Sequence, residues 1–216
     1  VKYTTDESVP AGAVDRQVES ALAQMGAISQ VKLYNAGNFF DDRAVAPPDR
    51  ERIATRLGHL DTVIVENHPK MVDDRVRAFR DLVGTDVDVA MGLETVHPEI
   101  LPRLNKRMTL ADFEAASERL RAAELQVRAF ILVRAPFMTE AEGVEWACRS
   151  IDFAFSVGVE CCAVIPTRAG NGALDALAAE GQFQAPTLDS LEAVAAYGLG
   201  LGQGRVFADL WDVERI

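Results

Sequence analysis

The chain alternates between two hydrophobic patterns. Short runs in which nearly every residue is apolar are separated by longer stretches in which apolar residues recur every three or four positions. These are the marks of strands buried on both faces and of amphipathic helices. Taken in order, the pattern predicts a polar loop over residues 1–12 and a helix from Asp15 to Met25 that ends at Gly26, with Val18, Ala21, Leu22 and Met25 on one face. A strand from Val31 stops at Gly37, and Pro47-Pro48-Asp49 opens a helix to about Leu57. Thr62 to Pro69 reads as a buried strand with Glu66 and His68 at its tip, followed by a helix over Asp74–Val83 closed by Gly84. A strand near Val87–Met91 breaks at Gly92 with Glu94 just beyond, and a helix over Thr109–Leu125 follows. Next come a strand from Val127 ended by Pro136, and a helix to about Phe155 that opens on the capping box Thr139–Glu142. A strand over Val159–Pro166, a loop through Arg168–Gly172, helical stretches near Gly172–Ala179 and Leu188–Gly198, and a last strand within Arg205–Asp212 complete the chain.

Six strands therefore alternate with helices, and no Asn-Gly or Asp-Gly hairpin signal joins any two of them, so the sheet is expected to be parallel. The fold class this predicts is α/β: a partial, open parallel (β/α) barrel, TIM-like, with about six strands, in a single domain over 1–216. Every predicted strand ends in polar or special residues: Asn35–Asn38, Glu66–His68, Gly92–Glu94, Arg134–Pro136, Thr167–Arg168 and Asp209. In a parallel sheet these ends share one edge, which predicts a polar rim over an apolar body.

Composition narrows the function classes. Lys plus Arg number 22 against 33 Asp plus Glu, a net charge of -11, which argues against a broad basic face for nucleic acid. The apolar runs fall short of a membrane span and the N-terminus has no signal-peptide pattern, so a soluble cytoplasmic protein is expected. The three cysteines, Cys148, Cys161 and Cys162, cannot make a disulfide framework and read as reduced thiols. No His/Cys/Asp spacing reads as a zinc site, no Gly-x-Ser-x-Gly elbow is present, and the glycines of 198–204 precede a strand where a dinucleotide fingerprint would follow one.

Met91-Gly-Leu-Glu-Thr95, then Glu99-Ile-Leu101 and Leu104-Asn-Lys-Arg-Met-Thr-Leu-Ala-Asp-Phe113, resemble the fourth-strand region of radical S-adenosylmethionine (SAM) enzymes. The subgroup is that of the elongator acetyltransferase and tRNA methylthiotransferase radical SAM domains, with the archaeosine-synthase radical SAM partner nearest. Tyr34-Asn-Ala-Gly-Asn-Phe-Phe-Asp41 is similar to the subgroup's second-strand motif, and Arg134-Ala-Pro-Phe-Met-Thr-Glu-Ala-Glu142, Val164-Ile-Pro-Thr-Arg168 and Arg205-Val-Phe-Ala-Asp-Leu-Trp-Asp212 are similar to its later strand ends. The resemblance implies a SAM cofactor. Ala36, Gly37 and Asn38 would lie beside its amino and carboxylate groups, although Ala36 replaces a glycine and Asn38 replaces a carboxylate or hydroxyl. Glu94 would meet its methionine or ribose, Lys106 and Arg107 its carboxylate, and Arg134 and Pro166 belong to the same cofactor set. Each has a plainer alternative: a strand-to-helix turn for 36–38, a buried pair with an arginine for Glu94, a solvated helix start for Lys106 and Arg107. Glu66 and His68, two apart on a strand and so on one side, are candidates for handling substrate or else a hydrogen-bonded rim pair. His59 and His97 read as loop and capping residues.

The family holds a 4Fe-4S cluster on a Cys-x-x-x-Cys-x-x-Cys loop, and this chain has no such triplet: Cys148 falls on a predicted helix and Cys161-Cys162 on a predicted strand. By the resemblance, the first strand and cluster loop lie upstream of Val1 and the chain stops early after Ile216. A missing first strand is expected to leave an apolar edge near Val31–Leu33. Three functions follow as expectations. One is a radical SAM core that forms a deoxyadenosyl radical when complete and modifies a small molecule or a modified tRNA base. A second is a cluster-less binding module or partner subunit. The third is an ordinary barrel lyase or aldolase using Lys106 or Glu66.

Overall fold

Apolar runs become strands and three-to-four spaced stretches become helices along most of the chain. A computed structural model describes residues 7–34, 38–170 and 172–216. In chain order the elements are α1 (Ala13–Gln24), β1 (Gln30–Leu33), α2 (Pro47–Leu57), β2 (Thr62–Glu66), α3 (Asp74–Val83), β3 (Asp86–Glu94), α4 (Ile100–Arg103), α5 (Leu110–Ala122), β4 (Gln126–Val133), α6 (Glu140–Ser156), β5 (Cys161–Pro166), α7 (Ala173–Ala179), α8 (Leu188–Leu201) and β6 (Arg205–Ala208). The strands form one sheet in sequence order, with β1–β2, β2–β3, β4–β5 and β5–β6 parallel. This is the expected α/β class, the open parallel TIM-like (β/α) fold. Among the described residues no helix is long and apolar enough to cross a membrane.

The chain divides into two compact units. In the first, Val1–Met91 with Glu118–Val127, β1 runs in register with β2 from Gln30↔Thr62 to Leu33↔Val65, and β2 with β3 from Thr62↔Asp86 to Glu66↔Ala90. Ile53, Leu57, Val63, Val65 and Val89 are fully buried. Phe39, Phe40 and Phe79 close this core edge-to-face, with ring centroids 5.0, 5.3 and 5.9 Å apart. Gly12 has no side chain with which to cap α1, so the buried Asp49 of α2 does it, accepting from the Gly12 and Val14 N–H groups at 2.6 and 3.2 Å. Beside β1, an edge strand, lies an apolar cleft lined by Val18, Leu22, Met25, Val31, Leu33 and Phe39.

The second unit is Gly92–Ser117 with Arg128–Ile216. Here β4 pairs with β5 from Arg128↔Cys161 to Val133↔Pro166, and β5 with β6 from Cys161↔Arg205 to Val164↔Ala208. Ile131, Val133, Ile151, Val164 and Val194 fill its interior. The predicted capping box opens α6, with Thr139 Oγ1 accepting from the Glu142 N–H and the Glu142 carboxylate accepting from the Thr139 N–H at 2.8 Å.

Several predicted boundaries are corrected. β3 does not break at Gly92 but runs on to Glu94, where a left-handed backbone (φ 65°) turns the chain out of the sheet. β4 ends at Val133 because Arg134 (φ 54°) makes the same turn, two residues before Pro136. α5 stops at Ala122, and Glu124 (φ 57°) reverses the chain into β4. The final strand stops at Ala208, short of Trp211-Asp212. β2 ends at Glu66, so His68 is not a strand residue on the same side as Glu66: it caps a short 3-10 turn over Pro69–Met71, its Nδ1 accepting from the Lys70 N–H at 3.2 Å.

Candidate functional site

The end of β3 carries the candidate with the most built-in geometry. Glu94 is buried, its side chain only 8% exposed, and one carboxylate oxygen lies 2.8 Å from the Lys106 ammonium, which is 48% exposed. The left-handed turn at Glu94 costs a non-glycine residue about 1–2 kcal/mol, and such strain concentrates where function demands it. Gly92 is part of the arrangement: a Cβ there would meet Glu94 Oε1 at 2.2 Å, so the carboxylate folds back over a position that only glycine leaves open. Beyond it, Thr95 Oγ1 accepts from the His97 N–H and Ser150 Oγ accepts from the Val96 N–H at 3.0 Å, which fixes the strand exit. His97 behaves as a capping residue, its Nδ1 accepting from the Glu99 N–H at 3.1 Å and its ring packed 4.3 Å from Trp146. Glu94 is thus buried and paired, as its plainer alternative required, but its partner is a half-exposed lysine and not an arginine. Arg107 also has a left-handed backbone (φ 53°) and points into solvent.

Arg134, at the end of β4, is committed elsewhere. Its guanidinium donates to Glu140, to the Ala185 carbonyl at 2.8 Å and to Gln184 at 2.9 Å. Glu140 also receives Ser190 Oγ at 2.5 Å and the Thr187 N–H at 2.9 Å. Burial alone would raise the Glu140 carboxyl, but the bonds from Ser190 and Thr187 and the Arg134 charge together hold it below the ordinary glutamate range. This pair clamps the segment between α7 and α8. Gly143 lets α6 approach so closely that a Cβ there would meet the Arg134 Cα at 2.7 Å. Pro166 is buried as the last residue of β5, and the following Thr167 donates from N and Oγ1 to the Val133 carbonyl.

In the first unit, Ala36 and Gly37 lie outside the described residues. Asn38 is fully buried and its amide is fully used: Oδ1 accepts from the Phe40 N–H at 2.7 Å, and Nδ2 donates to Asn67 Oδ1 at 2.6 Å and approaches Met71 Sδ at 3.1 Å. Asn67, not among the residues expected at this rim, stands between Glu66 and His68, which are. Its only signal was a buried-type asparagine at a strand end.

The three thiols do not form a metal site. Cys161 and Cys162 are buried in β5, the Cys162 thiol being pushed up to about 12 by burial and by its neighbour Cys161, while burial raises that of Cys148 on α6. Among the described residues no three His, Cys, Asp or Glu side chains are placed to hold a metal. The chain's own donors therefore do not fit a 4Fe-4S cluster.

The fold is that of the parallel α/β radical SAM enzymes. The archaeal Elp3 of Methanocaldococcus infernus superposes with a TM-score of 0.68 at 13% identity over 89% of this chain and 50% of its own. Coproporphyrinogen III oxidase (HemN) of Escherichia coli, a radical SAM enzyme, does so with a TM-score of 0.55 at 12% identity over 87% and 43%. Curated relatives of similar sequence include archaeosine synthase beta subunits. That of Methanosarcina acetivorans is 28% identical over 188 residues, covering 81% of this chain and 53% of the relative. That of Thermococcus kodakarensis is 32% identical over 129 residues, covering 56% and 39%. The chain spans about half the length of the curated relatives it matches. No protein-family profile matches it. The resemblance to radical SAM enzymes, and to the archaeosine branch among them, is thus borne out.

Proposed function

We propose that the chain is the SAM-binding core of a radical SAM enzyme similar to archaeosine synthase subunit beta, acting on a small molecule or a modified nucleobase together with a partner subunit. The observation that carries this is the Glu94–Lys106 pair. A carboxylate and an ammonium 2.8 Å apart, one buried and fixed and the other half in water, are the complement of a zwitterion. Glu94 is suited to accept from the α-ammonium of the SAM methionine, and Lys106, on its flexible stem, to move off Glu94 and meet the α-carboxylate, with Arg107 beside it in sequence. The strain and the glycine cradle at 92–94 keep Glu94 in place without a ligand, so that little ordering remains when one binds. The described donors of this chain do not fit a 4Fe-4S cluster, and the part its own residues play is to bind and orient SAM.

A second reading, a partner subunit that keeps the fold without radical chemistry, is favoured by the relatives' being named as subunits. The deciding experiment is anaerobic reconstitution of the protein expressed from its whole reading frame, with iron analysis and SAM cleavage to deoxyadenosine as readouts. Cleavage that disappears in Glu94→Gln supports the first reading, and stoichiometric SAM binding without cleavage supports the second.

A further inference from the structure

An arginine without a counter-ion stands out in a chain that carries 33 Asp plus Glu. At the strand ends of the second unit the other arginines are committed: Arg134 to Glu140, Gln184 and the Ala185 carbonyl, and Arg168 to the Asp209 carbonyl at 3.0 Å. Arg103, the last residue of α4, is different. Its guanidinium carbon lies 3.3 Å from the centre of the Phe137 ring, over the ring face, while among the described residues no carboxylate or other acceptor takes its N–H groups. The ring it lies on is held in place. Phe137 has a left-handed backbone (φ 73°), which a bulky side chain avoids, and its N–H donates to the Gln182 carbonyl at 2.8 Å.

A guanidinium carries five N–H donors in its own plane. With one face on an aromatic ring the plane is fixed, and the donors at its edge remain open to water, since Arg103 is exposed and Phe137 half-buried. A fixed fork matches two oxygens of one acid group, and fixing it beforehand removes much of the rotamer freedom that makes a mobile surface arginine a weak binder. The surroundings add charge of the same sign. The stretch from Ile100 to Ala111 has no acidic residue but carries Lys106 and the exposed Arg107, which also lacks a carboxylate partner among the described residues. We propose that Arg103, stacked on Phe137, is an oxyanion-binding site that takes the phosphate or carboxylate group of a small molecule on its two-pronged edge. The site is separate from the Glu94–Lys106 pair and needs no SAM.

The test follows the backbone amides of residues 103 and 137 by NMR while inorganic phosphate, and separately malonate, is added against sodium chloride at matched ionic strength. A shift that saturates at millimolar anion is expected. Arg103→Lys, which keeps the charge but not the fork, should bind about tenfold more weakly and melt as the unsubstituted protein does. Phe137→Leu, which keeps an apolar side chain but not the ring face, should bind about two- to fivefold more weakly. Saturation by phosphate assigns a phosphorylated ligand and saturation by malonate a carboxylate one, and either supports the site. Shifts that rise without saturating, or that chloride alone reproduces, overturn it, since an exposed arginine then merely answers to ionic strength. Undiminished binding in Arg103→Lys also overturns it by assigning the anion to Lys106 or Arg107, and undiminished binding in Phe137→Leu removes the stack from the site. The probes contain no SAM, so these outcomes are distinct from success or failure of the SAM reading.

Discussion

Two strand ends carry paired polar side chains, and the pairs are built in opposite ways. At the end of β2 the pair is neutral, Asn67 with Asn38, sealed from water and saturated with hydrogen bonds. At the end of β3 it is charged, Glu94 with Lys106, one member buried and the other half exposed. A sealed amide pair can hold a loop but has little to offer a ligand, since its polar atoms face one another and the backbone and are closed to water. A half-exposed ion pair holds little, because water competes for the lysine, yet it can exchange its partner for a ligand. The difference separates support from recognition, and it predicts that substitutions at the two places divide stability and binding in opposite proportions.

The largest loss of stability is expected at the amide pair. Asn38→Leu keeps the volume but leaves the Phe40 N–H and Asn67 Oδ1 without partners in a dry interior, for a loss of roughly 2–4 kcal/mol. Urea unfolding followed by circular dichroism measures it. A loss below about 1 kcal/mol would mean that water enters to replace the amide, and the contrast with β3 would collapse.

Next in size is the clamp in the second unit. Glu140→Gln should lower stability by about 2 kcal/mol at neutral pH, since Arg134 and Ser190 lose a charged acceptor that is itself partly exposed. Its pH dependence has a definite sign. The folded Glu140 carboxyl titrates below its ordinary value, so its contribution is complete above the unfolded glutamate range and is lost as pH falls through the folded pKa. Thermal melts of the two proteins should differ at pH 7 and converge in acid. A gap that persists below the carboxylate range would assign the effect to packing.

The contrast also explains how much could be read from the sequence. Parallel class, strand number and most helices were legible because they rest on period and caps, which are local: Asp74–Val83 with Gly84, and the Thr139–Glu142 box, stand as predicted. The strand ends were legible as places but not as geometry. Residue spacing does not reveal that Glu94 and Arg134 turn left-handed, that Arg134 is drawn to Glu140 and to a segment 50 residues on, or that Asn67 meets Asn38 across 29 positions. Charged and titratable side chains such as Glu66 and His68 stand out at a strand end, whereas the neutral Asn67 between them does not. Side chains that act by being saturated leave little trace in composition.

Gly92→Ala sharpens the comparison from the β3 side. The new Cβ would collide with Glu94 Oε1 at 2.2 Å, but that oxygen ends a flexible side chain and can swing away, so the loss of stability should be near 1 kcal/mol. The carboxylate would then sit away from Lys106, and S-adenosylhomocysteine binding should weaken as it does when the charge is removed. Calorimetry beside a melt tests this, and full affinity with a displaced Glu94 would show that its position is immaterial to the ligand.

The smallest change in stability, with the most diagnostic binding effect, is expected for Glu94→Gln. A fully buried ion pair loses about 3–5 kcal/mol when one member is neutralised, because the other is stranded without water. Lys106 cannot be stranded in that sense, being 48% exposed, so the loss should stay below about 1 kcal/mol. Binding should respond to a different quantity. If Glu94 accepts from the ammonium of the SAM methionine, one charge-assisted hydrogen bond is lost, on the order of 1.5–3 kcal/mol or a ten- to hundredfold weaker affinity. Lys106→Met supplies the reciprocal measurement, removing the partner of the ligand carboxylate while freeing Glu94, and should weaken binding by a similar factor with as little effect on the melt. A large drop in melting temperature with unchanged affinity in Glu94→Gln would make the β3 pair a second structural brace, alike in role to Asn38 and Asn67, and would remove the principal support for a cofactor site at this strand end.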